Sequence, residues 1–148
     1  MLSTFIGRYE TMPVESTFYP GVLRLLTQLQ AQKHCLAICT NKPEGPTRAV
    51  LRQSGLIAMV DGFISGGMLN TCKPDPAMLH HVIGELSGAQ TLYVGDSETD
   101  AETAIRAGVP FALFSGGYHK GIAEEIHHDW LFSHFDELGS IVNQIISQ

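Results

Sequence analysis

Two aspartates four positions apart, in the segment Gly95-Asp96-Ser97-Glu98-Thr99-Asp100, are the residues of this sequence best placed to do chemistry. The apolar run before them predicts a buried parallel strand, and the pattern after them predicts a helix that ends at Gly108. Open α/β sheets bind their ligands at such carboxyl strand ends, and carboxylates on rigid elements suit Mg²⁺. Alternatively, Asp96 caps the helix and Asp100 is a solvated first-turn charge.

Three more polar residues are predicted at the same edge of the sheet. Thr40 and Asn41 follow an apolar run of strand length, and their side chains and backbone N–H groups can donate to phosphate oxygens. Lys73 precedes a predicted helix, and its ammonium can neutralise a dianion. Taken singly, Thr40 and Asn41 fit a turn and Lys73 fits a solvated loop. Taken together with the aspartates, they predict a phosphate-plus-Mg²⁺ site.

Apolar strands and amphipathic helices alternate along the chain, which predicts one α/β domain over residues 1–148. Such alternation is typical of a Rossmann-like parallel sheet with helices on both faces and right-handed crossovers. Before residue 20 the pattern is weaker, and Phe5, Ile6 and Tyr9 predict only one turn of an apolar helix, broken by Pro13. The predicted strands are 35–39, 63–65, 91–94 and 111–114, and the predicted helices are about 21–29, 46–54, 76–86, 101–107 and 135–146.

Composition excludes several classes of function. The chain of 148 residues has a formal net charge of −6, which argues against nucleic acid as a main partner. No apolar run of about 18 residues and no signal-peptide pattern occurs, so no membrane span or export is predicted. The three cysteines show no zinc-binding spacing, and we expect buried, reduced thiols in a cytoplasmic protein.

Three segments, 40–43, 73–76 and 95–100, resemble the second, third and fourth motifs of the haloacid dehalogenase superfamily of hydrolases. The resemblance covers the chain from about Tyr19 onward, and the nearest likeness is to phosphoglycolate phosphatases. It implies a Mg²⁺-dependent phosphatase that acts on a small phosphorylated metabolite.

The resemblance also implies a role for each matching residue. Thr40 and Asn41 would hold the phosphate, and Lys73 would stabilise the nucleophile and the phosphoryl charge, which makes it the catalytic residue of this set. Asp96 would bind Mg²⁺, and Asp100 would bind the ion or orient its water ligands. Ser97, within the same segment, would support the acidic loop.

One motif of the family has no counterpart in this sequence. The family attacks phosphate with an aspartate in a DxDGT-like motif on its central first strand, followed by a helical cap that selects the substrate, and neither is found here. We therefore expect a core that lacks its first strand and cap. Backbone groups left unpaired in the gap would cost about 1–3 kcal/mol each. The chain would have to close the gap, borrow a strand, for example in a homo-oligomer, or belong to a longer polypeptide.

Two hypotheses of function follow. The first is a phosphomonoester hydrolase of this superfamily that is inactive as the isolated chain. The alternative is a non-catalytic module, derived from the same fold, that binds phosphate, metal or a partner protein. A receiver-like phosphoacceptor domain is disfavoured, because the acidic segment comes late in the chain and after Lys73.

Overall fold

The molecule is built on a six-stranded sheet in the order β3-β2-β1-β4-β5-β6, and every pair of neighbouring strands is parallel. The structure is a computed structural model that describes residues 3–7, 21–86, 90–116 and 120–146. The strands are β1 (Ser3–Gly7), β2 (Cys35–Pro43), β3 (Gly62–Gly66), β4 (Gln90–Gly95), β5 (Phe111–Phe114) and β6 (Trp130–Phe132). The predicted parallel α/β fold is confirmed.

The central position of the sheet is filled by β1, so the expectation of a missing first strand is wrong. Thr4–Gly7 pair with β2 from Cys35 to Ile38, and Ser3–Ile6 pair with β4 from Gln90 to Tyr93. The chain therefore closes the expected gap with its own backbone, because β1 supplies hydrogen-bonding groups to both neighbours. An unfilled strand position no longer offers a reason for a homo-oligomer.

The same finding corrects the prediction for the start of the chain. Phe5 and Ile6 lie in a strand and not in a helical turn, because pairing on both edges overrides a weak local pattern. The rest of that prediction, Tyr9 and Pro13, lies outside the described residues.

Helices cover both faces of the sheet and enclose two apolar clusters. The first cluster includes apolar side chains of α1 (Val22–Ala31), α2 (Glu44–Ser54) and α5 (Asp136–Ile146), and the second includes those of α3 (Ala77–Leu86) and α4 (Glu98–Ala107). Helices on both faces explain why the middle strands are apolar on both sides, as β5 is with four buried residues.

Most predicted elements are confirmed, and besides β1 the main differences within the described residues concern β2, α2 and β6. Strand β2 continues to Pro43 and so includes Thr40 and Asn41. Helix α2 begins at Glu44, directly after β2, with Pro43 as its N-cap. The short strand β6 was not predicted, because three residues carry too little pattern to separate them from a loop. Two single-turn 3₁₀ helices, Leu56–Ala58 and Ala123–Glu125, complete the described structure.

Two other expectations can be compared with the structure. All three cysteines are free, but only Cys39 is buried, whereas Cys35 is partly buried and Cys72 is exposed. In the described part of the chain, no helix is long and apolar enough to cross a membrane.

Candidate functional site

The carboxyl end of β2 is joined to the segment that carries Lys73. The Asn41 side chain makes two hydrogen bonds with the main chain of Lys73: its Nδ2 donates to the carbonyl oxygen at 3.1 Å, and its Oδ1 accepts from the N–H at 2.8 Å. Thr40 is buried, and its Oγ1 accepts from the Lys42 N–H at 3.1 Å. The Asn41 side chain thus fixes the position of Lys73 at the carboxyl edge of the sheet.

Strand β3 approaches this end of β2 so closely that only glycine fits. A Cβ on Gly66 would lie 2.1 Å from the Asn41 carbonyl oxygen. The close approach coincides with an irregular register between β2 and β3 after Cys39. The strand end that presents Thr40 and Asn41 is therefore shaped by its neighbour in the sheet.

Lys73 is buried, which excludes the interpretation as a solvated loop lysine. The residue is only 3% exposed. Its Nζ donates to Asp100 Oδ1 at 2.9 Å, to the Tyr93 hydroxyl at 3.1 Å and to the Cys39 carbonyl oxygen at 3.2 Å. A buried ammonium is tolerated only with such partners, so its position is strongly determined.

Asp100 is the centre of the hydrogen-bond network and is fully buried. Its Oδ1 accepts from Lys73 Nζ at 2.9 Å and from the Tyr93 hydroxyl at 3.0 Å. Its Oδ2 accepts from the Asp96 N–H and from Ser97 Oγ, both at 3.0 Å. Both oxygens are therefore used by the protein, and Asp100 is not a solvated first-turn charge.

The cap of α4 is Ser97 and not Asp96. Ser97 Oγ accepts from the Asp100 N–H at 3.2 Å, as an N-cap side chain does at the third helical position. Asp96, a residue only 6% exposed, lies directly after the carboxyl end of β4 and does not cap the helix. The capping alternative for Asp96 is therefore wrong.

Gly95 makes room for the buried carboxylate. A Cβ at this position would lie 2.5 Å from Asp100 Cβ and 2.6 Å from its Cγ and Oδ2. Any larger residue at position 95 would overlap this side chain, because the Asp100 carboxylate packs directly over the Gly95 backbone.

Tyr93 is the functional-site residue that sequence reasoning missed. The sequence pattern predicts only that it lies in the strand 91–94, yet its hydroxyl contacts both Lys73 and Asp100. The available signal was its chemistry, because a tyrosine in a strand predicted to be buried needs a hydrogen-bond partner for its O–H group.

Glu98, in the same acidic segment, holds a neighbouring loop. Its carboxylate accepts from the Lys120 N–H at 2.9 Å and from the Gly121 N–H at 3.0 Å. Glu98 therefore links the start of α4 to the chain that follows β5, and it contributes to the shape of the edge rather than to its buried charge.

The donor set at this edge fits Mg²⁺. Asp96 and Asp100 are adjacent, since the Asp96 N–H donates to the Asp100 carboxylate. No group of three or more histidine, cysteine, aspartate or glutamate side chains within residues 21–86, 90–116 and 120–146 could hold a metal by itself. Mg²⁺ suits such a site, because it commonly takes one or two carboxylates and completes its shell with water and phosphate oxygens.

Two titratable groups with shifted pKa values lie at the opposite edge of the sheet, around the start of β2. Burial lowers the pKa of His34. Burial, and then the negative charge of Asp61, raise the pKa of the Cys35 thiol. Neither residue is part of the network around Asp100.

Comparisons with known proteins place these features in a family. The model of the haloacid dehalogenase-like hydrolases matches residues 5–108. A phosphoglycolate phosphatase of Cereibacter sphaeroides (strain ATCC 17029 / ATH 2.4.9) is 41% identical over 144 residues, which are 97% of this chain and 66% of that protein. A phosphoglycolate phosphatase of Rhodospirillum rubrum is 40% identical over 93% of this chain and 58% of its own length. The chain thus spans about two thirds or less of these relatives.

Solved structures agree with the fold. A predicted phosphoglycolate phosphatase from Haemophilus somnus 129PT superposes with a TM-score of 0.82 at 29% identity, over 87% of this chain and 60% of its own. CbbY from Rhodobacter sphaeroides, solved in complex with phosphate, has a TM-score of 0.72 at 25% identity, over 81% of this chain and 55% of its own. On its sequence and fold together, the chain belongs to the haloacid dehalogenase-like hydrolases.

Proposed function

We propose that this chain carries the phosphate- and metal-binding half of a Mg²⁺-dependent phosphomonoester hydrolase similar to the phosphoglycolate phosphatases. One observation carries the proposal: a fully buried Lys73–Asp100 ion pair, 2.9 Å between Nζ and Oδ1, lies where β2 and β4 end. Burying two charges is costly, and well-packed apolar residues in place of a buried ion pair often leave a protein at least as stable. A charged pair at a strand edge, beside Asp96, is more typical of a site that handles a charged ligand.

The residues have distinct roles in this proposal. Thr40 and Asn41 donate hydrogen bonds to the phosphate at the end of β2, and Lys73 opposes the charge of the phosphoryl group. Asp96 holds Mg²⁺. Asp100 positions the backbone of Asp96 and does not bind the ion itself, because both of its oxygens already accept hydrogen bonds. When bound, Mg²⁺ neutralises charge on the phosphate oxygens.

The substrate class follows from the relatives. A relative that is 41% identical to this chain is a phosphoglycolate phosphatase, so a small phosphorylated carboxylic acid in the cytoplasm is the substrate that we propose for the complete site. The family's cap, which selects the substrate, has no counterpart in this sequence. Inorganic phosphate is therefore the appropriate probe for the chain itself.

We expect little or no turnover from the 148-residue chain, because its central strand, Ser-Thr-Phe-Ile-Gly, carries no carboxylate that could attack phosphorus. Hydrolysis of p-nitrophenyl phosphate with and without Mg²⁺ tests this expectation. Robust Mg²⁺-dependent turnover by the pure chain would contradict it.

Binding of Mg²⁺ and inorganic phosphate, measured by isothermal titration calorimetry, tests the site itself. Asp96→Asn should abolish most Mg²⁺ binding, because it removes the carboxylate that holds the ion in this proposal. Asp129→Asn is the matched control, since it removes an acidic charge from the opposite edge of the sheet. Equal loss in both variants, or no binding by the wild-type chain, would refute the proposed site.

The second candidate function is a module that binds phosphate or metal without catalysis. It is favoured by β1, which carries no carboxylate that could act as the nucleophile. A chain that binds Mg²⁺ and phosphate but does not hydrolyse the aryl phosphate would fit this function as well as an inactive half of an enzyme. Addition of a carboxylate separates the two: Gly7→Asp, at the end of the central strand, should produce measurable turnover only if the remaining site is catalytically competent.

A further inference from the structure

We propose that Tyr93 is a positioning residue that fixes the orientation of Asp100 and thereby prepares Asp96 for Mg²⁺. The inference rests on the proposed function, because it concerns the same site. It goes beyond the motif residues, since Tyr93 lies inside the strand that precedes them.

The Tyr93 hydroxyl closes a triangle with the buried ion pair. Its oxygen lies 3.1 Å from Lys73 Nζ and 3.0 Å from Asp100 Oδ1, and the two charged atoms lie 2.9 Å apart. The hydroxyl accepts from the ammonium and donates to the carboxylate. This neutral group therefore makes a hydrogen bond to each charge of the ion pair.

The ring holds this hydroxyl at a fixed point. Tyr93 is fully buried, and its backbone pairs with Ile6 on one side and with Phe111 on the other. Its ring centroid lies 5.6 Å from that of Phe111, at an interplanar angle of 44°. A phenylalanine ring would fill the same space, so Tyr93→Phe removes the oxygen and leaves the packing in place.

The orientation of Asp100 passes directly to Asp96. While Oδ1 is held by Lys73 and Tyr93, Oδ2 faces the Asp96 N–H and Ser97 Oγ. Rotation of the carboxylate would weaken both of these bonds and loosen the segment that carries Asp96. A preorganised ligand binds its ion more tightly than a mobile one.

The test compares Tyr93→Phe with Thr103→Val. Thr103 is equally buried on α4, and its Oγ1 donates to the Thr99 carbonyl oxygen at 2.7 Å, so the control also removes one buried hydroxyl but leaves the ion pair unchanged. Two readouts are used for each variant: the Kd of Mg²⁺ in the presence of inorganic phosphate by calorimetry, and the ¹⁵N-detected NMR signal of the Lys73 ammonium. That signal is assigned by its loss in Lys73→Arg.

We expect Tyr93→Phe to weaken Mg²⁺ binding about three- to tenfold, as the loss of one buried hydrogen bond in the supporting network would do. The Lys73 ammonium signal should shift or broaden by faster exchange with water. Thr103→Val should change neither readout. If Tyr93→Phe binds Mg²⁺ like the wild type and its ammonium signal is unchanged, the inference is wrong.

Failure of the proposed function gives a different result. In that case the wild-type chain binds no Mg²⁺, the part of the inference that concerns Mg²⁺ fails as well, and the NMR signal decides whether Tyr93 positions the ion pair. Loss of the ammonium signal in Tyr93→Phe, with its retention in Thr103→Val, would still support Tyr93 as the residue that positions the ion pair. An unchanged signal in both variants would overturn it.

Discussion

Aspartates lie at both edges of the same parallel sheet, and they do different things there. At the amino edge, Asp61 and Asp129 are exposed. At the carboxyl edge, Asp96 and Asp100 are buried. The residue type is the same, so the difference in role arises from what surrounds each carboxylate.

The amino-edge aspartates close small rings with the first residues of strands. Asp61 Oδ2 accepts from the Leu36 N–H at 2.8 Å, while the Asp61 N–H donates to the Leu36 carbonyl oxygen at 2.7 Å. Asp129 does the same with Phe111, at 2.8 Å in both directions. These carboxylates satisfy backbone N–H groups while they remain in water, which is a structural role.

At the carboxyl edge, by contrast, the charge of Asp100 is buried in the interior together with that of Lys73. Asp100 and Lys73 face each other without solvent, and the arrangement is stable only as a complete set. Among the described residues the contrast therefore separates aspartates that complete a strand from aspartates that build a site. The predictions below test that contrast, from the largest expected effect to the smallest.

Lys73→Met should give the largest loss of stability. It leaves the Asp100 charge buried without its cation, which costs about 3–5 kcal/mol. Urea unfolding of Lys73→Met, Asp100→Asn and the double variant measures the effect. The double variant should be less destabilised than the sum of the single variants, because it removes both charges. Additive losses would show that the two residues are not energetically coupled.

Gly95→Ala should disturb the carboxyl edge from the backbone side. The added methyl group would overlap Asp100 and force its carboxylate out of place, at a cost of about 1–3 kcal/mol. Thermal unfolding measures it. Gly84→Ala in α3 is the control, because nothing lies within 4 Å of its added Cβ, and it should stabilise the protein by up to about 1 kcal/mol. Equal shifts in both variants would contradict the close packing at Gly95.

Asp61→Ala and Asp129→Ala should each cost about 0.5–1.5 kcal/mol, because each removes one hydrogen bond to a strand N–H at an exposed edge. Neither substitution should change the binding of Mg²⁺ or phosphate. Calorimetric titration beside urea unfolding separates the two properties. A loss of ligand binding in either variant would contradict the conclusion that the amino-edge aspartates have only a structural role.

His34, also at the amino edge, should make the smallest contribution, and it should depend on pH. Burial lowers its pKa from the ordinary value of 6.5, so the folded protein binds this proton more weakly than the unfolded chain does. Stability is then fully present above that value and is lost as the pH falls through it toward the folded pKa.

His34→Gln should flatten the decline in the free energy of unfolding between about pH 7.5 and about pH 5. Urea unfolding of the wild type and the variant across this range gives the comparison, because the remaining histidines are common to both proteins. Parallel curves would show that His34 does not contribute to the decline.

Much of the fold could be predicted from local patterns. The period of Val22, Leu25, Leu26 and Leu29 predicted α1, and all four residues are buried. The glycines after α2 and α4, Gly55 and Gly108, adopt the left-handed conformation that ends a helix. These signals are local, because a helix face and a helix end are set by neighbours along the chain.

The central strand could not be predicted in this way. Ser3–Gly7 is a strand because β2 and β4 pair with it on both sides, and no pattern within five residues carries that information. Strand β6 was missed for the same reason, since its three residues are defined by pairing with β5. Non-local pairing decided both elements.

The sequence by itself determined which chemical groups reach the carboxyl edge, because strand ends and helix starts can be read from periodicity, and their order matches a known family. Only the tertiary structure decided which role each of those groups has. It buried Lys73 against Asp100, gave the cap of α4 to Ser97 and brought in Tyr93 from inside a strand. The physical reason is that burial and hydrogen-bond partners are properties of packing, which a sequence pattern does not contain.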